Sequence, residues 1–185
     1  MCIHRWLAAV MIGSAAVLGA VPAAADPPAT ATSLQLGVGF RYGYELEEGD
    51  FNPWGTGIGV EIGYTLPSAL YFGGNFDYFL GEEGESLSGN IWQLMAEAGY
   101  DLGFGEGPFF VLRPKLGAGV AGYQYELCLD TTSCQSNSET NFAIAPGATF
   151  MILTKSVSVA LDFRYDMIFA DEQLNALIFS VGVGF

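Results

Sequence analysis

From residue 33 onward, apolar residues alternate with polar or very small ones, with few interruptions, up to Phe185. The closing stretch LNALIFSVGVGF (174–185) shows the pattern plainly. Leu177, Phe179, Val181, Val183 and Phe185 fall on one side; Ile178, Ser180, Gly182 and Gly184 fall on the other. A period of two marks a strand, because successive side chains point to opposite faces. The alternation resolves into eight predicted strands: 33–46, 56–66, 70–80, 90–102, 109–123, 141–153, 157–169 and 175–185. The connections alternate as well. Those at 67–69, 103–108 and 154–156 are short, while those at 47–55, 81–89, 124–140 and 170–174 are mostly long and polar.

The two faces of these strands differ sharply. One collects seventeen aromatics, Phe40, Tyr64, Phe72, Trp92, Phe142, Phe163 and Phe179 among them, and no charged residue. The other holds far fewer aromatics, Tyr71, Phe79 and Tyr123 among them, and eleven charges: Arg41, Glu45, Glu61, Asp77, Glu97, Asp101, Arg113, Lys115, Asp162, Arg164 and Asp166. A soluble barrel of lipocalin type would turn the aromatics inward. However, the charged face is also rich in glycine (Gly37, Gly39, Gly43, Gly57, Gly59, Gly63 and others). An eight-stranded barrel encloses little more than its own side chains. Inward glycines make room there, whereas seventeen aromatics would overfill the space. The aromatic face therefore meets lipid. The predicted fold is all-β: an eight-stranded antiparallel up-and-down transmembrane β-barrel, with short turns at one rim and long loops at the other.

Pairing expectations follow from the hairpins. Leu46 opposite Thr56 would set Arg41 against Glu61, and the turn at 67–69 brings Asn75 beside Glu61. Leu102 opposite Phe110 would set Glu97 against Lys115, with Arg113 and Asp101 diagonal. Strand six offers only small inward residues, which leaves room for Arg113 and Arg164 to reach across; Asp162 and Asp166 are read as partners of Arg164. Pro114 and Pro146 each remove a ladder hydrogen bond, so local bulges are expected there.

Composition changes the picture at the N-terminus. Arg5 precedes an apolar run, Leu7–Val21, and Ala23-Ala24-Ala25 supplies a small-residue cleavage site. Residues 1–25 read as a secretory signal peptide, cut after Ala25, with an uncleaved membrane helix as the alternative. Residues 26–32 read as a short periplasmic leader and 33–185 as the barrel. No other stretch reaches the ~20 apolar residues of a membrane helix. Of 6 basic and 20 acidic residues the cut removes Arg5, leaving 5 − 20 = −15. Such acidity excludes nucleic acid as a partner, since phosphate binding needs clustered Lys and Arg.

Cys128 and Cys134 are the remaining cysteines, and no histidine is left. In an exported chain, two cysteines six apart read as a disulfide closing a small loop. Without histidine, acid–base catalysis lacks its usual near-neutral group; the reading is non-enzymatic, with no cofactor. The long loops and their strand tips carry Glu47, Glu48, Glu82, Glu83, Asp130, Glu139 and further acids but no Lys or Arg. They read as a solvated face, with weak divalent-cation binding as the sharper alternative. Phe51, Trp54 and Tyr125 read as exposed loop aromatics.

The pattern, the turn alternation and the terminal FSVGVGF resemble the small eight-stranded outer-membrane barrels of OmpA/OmpX type. The resemblance spans the whole mature chain but carries no specific motif. It implies residence in the outer membrane of a Gram-negative-type bacterium, among its lipids. It also implies that Phe185 is read by the outer-membrane assembly machinery; a lipid-facing girdle aromatic is the plainer role. No further domain is expected after strand eight. The lumen charges are expected to form a plug, in a barrel serving envelope integrity or surface interaction. The alternative is a narrow conduit for a small solute or ion.

Overall fold

The computed structural model describes residues 34–46, 52–81, 87–104, 109–130, 133–154, 157–170 and 173–185. Nine strand segments are described: β1 (Leu34–Glu45), β2 (Gly55–Thr65), β3 (Leu70–Leu80), β4 (Leu87–Tyr100), β5 (Leu102–Phe104), β6 (Phe109–Asp130), β7 (Ser133–Leu153), β8 (Ser158–Phe169) and β9 (Leu174–Gly184). All pairings are antiparallel. β1 pairs with both β2 and β9, and β4 pairs with β6, so the sheet closes on itself. β5 continues the wall of β4 beyond a break at Asp101, pairing with β6 in its place. The result is a closed eight-stranded antiparallel barrel. Phe185 joins the seam: its N–H donates to the Leu36 carbonyl (2.9 Å) and its own carbonyl accepts from Leu36 N–H (3.2 Å).

Burial follows the parity of the sequence. Phe40, Tyr64, Phe72, Phe76, Phe142, Phe150, Phe163, Phe169 and Phe179 are exposed on the outer wall, as are Val60, Leu116, Leu161 and Val181. Arg41, Asp77, Glu97, Asp101, Arg113, Lys115, Arg164 and Asp166 are buried inside. Outward rings cover outward glycine where they can: a Cβ at Gly122 would collide with the Trp92 ring of the neighbouring strand.

Several expectations change. Strand four begins at Leu87 and splits at Asp101. The long polar segment 124–140 is mostly strand, because β6 runs to Asp130 and β7 starts at Ser133. On one flank this hairpin outruns its neighbour, since β7 pairs with β8 only as far as Phe142↔Phe169, whereas on the other β4 follows β6 to Leu87↔Leu127. The prolines produce no bulges. β4 and β5 bracket Pro114 with one register, and the β7–β8 ladder lapses beside Pro146 and resumes unshifted at Gly147↔Arg164. A missing N–H removes a bond without inserting a residue, so the register survives. The described register shift lies between Cys128 and Asp130.

The first hairpin pairs Arg41 with Gly57 and Gly37 with Glu61, four residues from the expected register. The β6 hairpin pairs Gly99 with Lys115 and Glu97 with Gly117, two residues off. Both slips are even, so every side chain keeps its face. Glu61 and Asn75 do pair directly.

Candidate functional site

Inward positions along β3 run Tyr71, Asn75, Asp77, Phe79 from the short-turn rim towards the long loops. This order marks successive layers of the lumen.

The lowest layer centres on Arg113, 1% exposed. Its Nε and Nη2 donate to the two oxygens of Asp101 (2.6 and 3.0 Å), a bidentate clamp. Nη2 also reaches Gln35 Oε1 (3.0 Å) and Thr65 Oγ1 (3.3 Å) on the far side. The guanidinium lies 3.6 Å over the Tyr71 ring centroid, a cation–π contact strengthened by burial. The Tyr71 hydroxyl donates to Glu61 (2.7 Å), which stands 3.9 Å from Arg113. Tyr71 fits because both neighbours are glycine. A Cβ at Gly63 or Gly73 would collide with its ring or hydroxyl.

The middle layer centres on Lys115. Its ammonium bridges Glu97 (3.0 Å) and Asp162 (2.9 Å). Thr149 donates to Asp162 (2.6 Å) and Asn75 Nδ2 donates to Glu97 Oε1 (2.6 Å). The upper layer centres on Arg164. It spans the lumen from β8 to Asp77 on β3 (2.5 Å) and Gln93 on β4 (2.9 Å), while its Nε holds Asp166 (2.9 Å). Arg41 closes the layer by donating to the other Asp77 oxygen (3.0 Å).

Above the charges the lumen turns apolar. Trp54, Phe79, Ile91, Ile168, Ile178 and the alanines 121, 143 and 176 form one buried cluster. Trp54 is fully buried and meets Phe79 edge to face, with centroids 5.2 Å apart. Its ring enters because Gly43 has no side chain; a Cβ there would sit 2.6 Å from Trp54 Cβ. Asn52 holds the loop down, donating from Nδ2 to the Gly43 carbonyl (3.0 Å) and accepting from Trp54 N–H (3.2 Å).

The ten inward ionic residues named from the sequence thus come together in three layers, but with different partners. Arg41 meets Asp77, not Glu61, because β2 starts one residue after the inserted Trp54 and slides the hairpin. Asp162 pairs directly with Lys115 and meets Arg164 only through its electrostatic field. Glu97–Lys115 is a diagonal pair, and Arg113–Asp101 is the direct one. Gln35, Thr65 and Gln93 join the network without having been singled out, and Tyr71, named only as an inward aromatic, joins it too; inward parity was the available signal. Trp54, read as an exposed loop aromatic, is instead the largest of the fully buried side chains among the described residues. Cys128 and Cys134 are Cα partners across the β6–β7 hairpin; their side chains lie outside the described residues, as do Phe51 and the signal and leader segments. Phe185 is 71% exposed on the outer wall.

A closed barrel with an apolar, ring-bearing exterior and an ionic interior defines a transmembrane β-barrel. The comparisons agree. The family model for the outer membrane protein beta-barrel domain matches residues 13–185, and the chain belongs to that family, which places it in an outer membrane. Among solved structures it is similar to Neisserial surface protein A (17% identity, 82% of this chain and 94% of that one, TM-score 0.51). It is likewise similar to Ail, the attachment invasion locus protein of Yersinia pestis (20%, 82% and 97%, TM-score 0.52). The N-terminal barrel of Pseudomonas aeruginosa OprF compares at 19% identity, 83% and 98% coverage and TM-score 0.51. None of the curated proteins matches the sequence.

Proposed function

We propose that this protein is a non-enzymatic outer-membrane barrel with a plugged lumen, serving envelope integrity or surface interaction. One observation carries the reading: three ionic layers and an apolar cap lie in series along the lumen. A charge in so narrow a space must be paired or hydrated, and these are paired to one another. Reconstitution in planar bilayers tests the reading. A silent membrane is expected from the wild type, and steady single-channel conductance would overturn it. A second reading, a narrow ion conduit, draws on Arg41 and Arg164 sharing Asp77, a carboxylate whose partners could exchange. Conductance that vanishes on neutralising Arg41 or Lys115 would favour it.

Ail has been solved with the heparin analogue sucrose octasulfate. That chemistry does not carry over, because the long loops here are acidic without Lys or Arg. A surface partner of this barrel would instead be cationic or neutral, or a divalent cation bridging to lipid headgroups. The Cys128↔Cys134 register supports a disulfide stiffening the hairpin, testable by thiol labelling before and after reduction. Cleavage after Ala25 and reading of Phe185 by the assembly machinery complete the proposal. N-terminal sequencing of the membrane form tests the first, and Phe185 deletion, expected to lower the assembled fraction, tests the second.

A further inference from the structure

The three ionic layers do not carry the same charge. The upper layer is balanced, with Arg41 and Arg164 against Asp77 and Asp166. The middle layer sets one cation, Lys115, against Glu97 and Asp162, and the lowest sets Arg113 against Asp101 and Glu61. Each of the lower two layers therefore keeps one unneutralised carboxylate. In the middle layer the surplus has an address. Glu97 Oε1 receives both Lys115 and Asn75, whereas Glu97 Oε2 and Asn75 Oδ1 are buried with no donor at all. Glu97 is 5% exposed and Asn75 3%. Two buried acceptors on mutually bonded side chains, next to a surplus negative charge, call for a cation. A water would fill the acceptors but leave the charge.

We propose that the middle layer seats one monovalent alkali cation on Glu97 and Asn75. A divalent ion fits poorly, since it wants about six to eight oxygens and the surplus of the layer is one charge. Among the described residues no three acidic, His or Cys side chains gather as a metal cage. The inference goes beyond the plugged-barrel reading, because a silent bilayer is compatible with an occupied seat.

The test is thermal unfolding in uncharged detergent micelles, in sodium, potassium or N-methylglucamine chloride at equal ionic strength. The organic cation, far bulkier than either alkali ion, is the control. The wild-type midpoint should rise by roughly 2–4 °C in either alkali salt. Glu97→Gln leaves Lys115 balanced by Asp162 and should abolish the rise. Asn75→Asp adds a carboxylate and should enlarge it, and it keeps the test open if Glu97→Gln fails to fold. Equal wild-type midpoints in all three salts would overturn the proposal. So would an alkali advantage that survives Glu97→Gln, which would place the effect on the acidic loops, or one that Asn75→Asp leaves unchanged.

Discussion

The two halves of this lumen are filled by opposite means. From Arg113 up to Arg164 the interior is a stack of ion pairs, each long side chain laid over glycine or alanine. From Phe79 up to Trp54 it is packed like a small soluble core, in a place where soluble cores do not occur. The lower half owes its order to partner choice, since a buried charge without a partner costs more than the pair contributes. The upper half owes its order to volume, since a filled cavity needs shape and no directional bond. The two halves should therefore fail differently when damaged.

The sharpest contrast comes from Arg164→Met. The length and packing of the side chain are nearly kept, yet Asp166 loses its cation and Asp77 keeps only Arg41. A loss of about 3–5 kcal/mol is expected, read from urea unfolding in micelles. Adding Asp166→Asn should recover part of it, because the stranded charge goes with it. If Arg164→Met costs under about 1 kcal/mol, the layer is hydrated and the distinction between the halves collapses.

That asymmetry also explains what was legible in the sequence. Parity alone separated wall from lumen and named all ten ionic residues, since one residue of slip would have turned each to lipid. It could not choose among even registers, so Arg41 was matched to Glu61 instead of Asp77. The choice is made by Trp54, which folds back over Gly43 and fixes where β2 begins. A loop residue entering the lumen has no periodicity to betray it. The long β6–β7 hairpin was hidden for a similar reason. In β7 the residues turn polar on both faces, as Ser136 to Thr140 show by being exposed without alternation, so the period of two vanishes there while the ladder continues; in β6 it persists through Tyr125, Leu127 and Leu129, beside a partner that carries no such signal.

Trp54→Ala probes the cap in its own terms. Deleting a fully buried ring should cost about 3 kcal/mol, at the low end for Trp because a loop can settle into the gap. Volume, not polarity, is at stake, so Trp54→Phe should restore most of the stability. Planar-bilayer recordings of Trp54→Ala should stay silent, because the balanced upper layer remains beneath. A conducting variant would make the cap the seal and the ion pairs mere lining.

Glycine floors supply a finer comparison within the lower half. Gly63→Ala places a methyl group into the Tyr71 ring and should cost about 1–3 kcal/mol through overpacking, loosening the Arg113 contact. Gly37→Ala, two positions from Gln35 on the same inward face, meets only ordinary neighbours at 3.7 Å and should be close to neutral. Unfolding midpoints of the two variants, measured side by side, separate the effect of room from any general aversion of the lumen to alanine.

The smallest effect concerns the backbone that carries Asp101 at the base of the stack. Ala69 ends the turn between β2 and β3 with φ at 64°, a left-handed conformation that costs a residue with a Cβ ~1–2 kcal/mol. The turn is nonetheless well tied. Ala69 N–H donates to the Leu66 carbonyl (2.9 Å), and the Ala69 carbonyl accepts from the N–H of Asp101 (2.8 Å). That last bond anchors the backbone of Asp101 where the strand breaks, and its carboxylate then meets Arg113. Ala69→Gly removes the strain at some cost in unfolded-state entropy, so a net gain of about 0.5 kcal/mol is expected. A gain shows that the strain is relieved with the backbone anchor of Asp101 intact. A loss would mean that the strained alanine is itself needed to hold that backbone in place, and that the ionic half depends on its rim as closely as the apolar half depends on its loop.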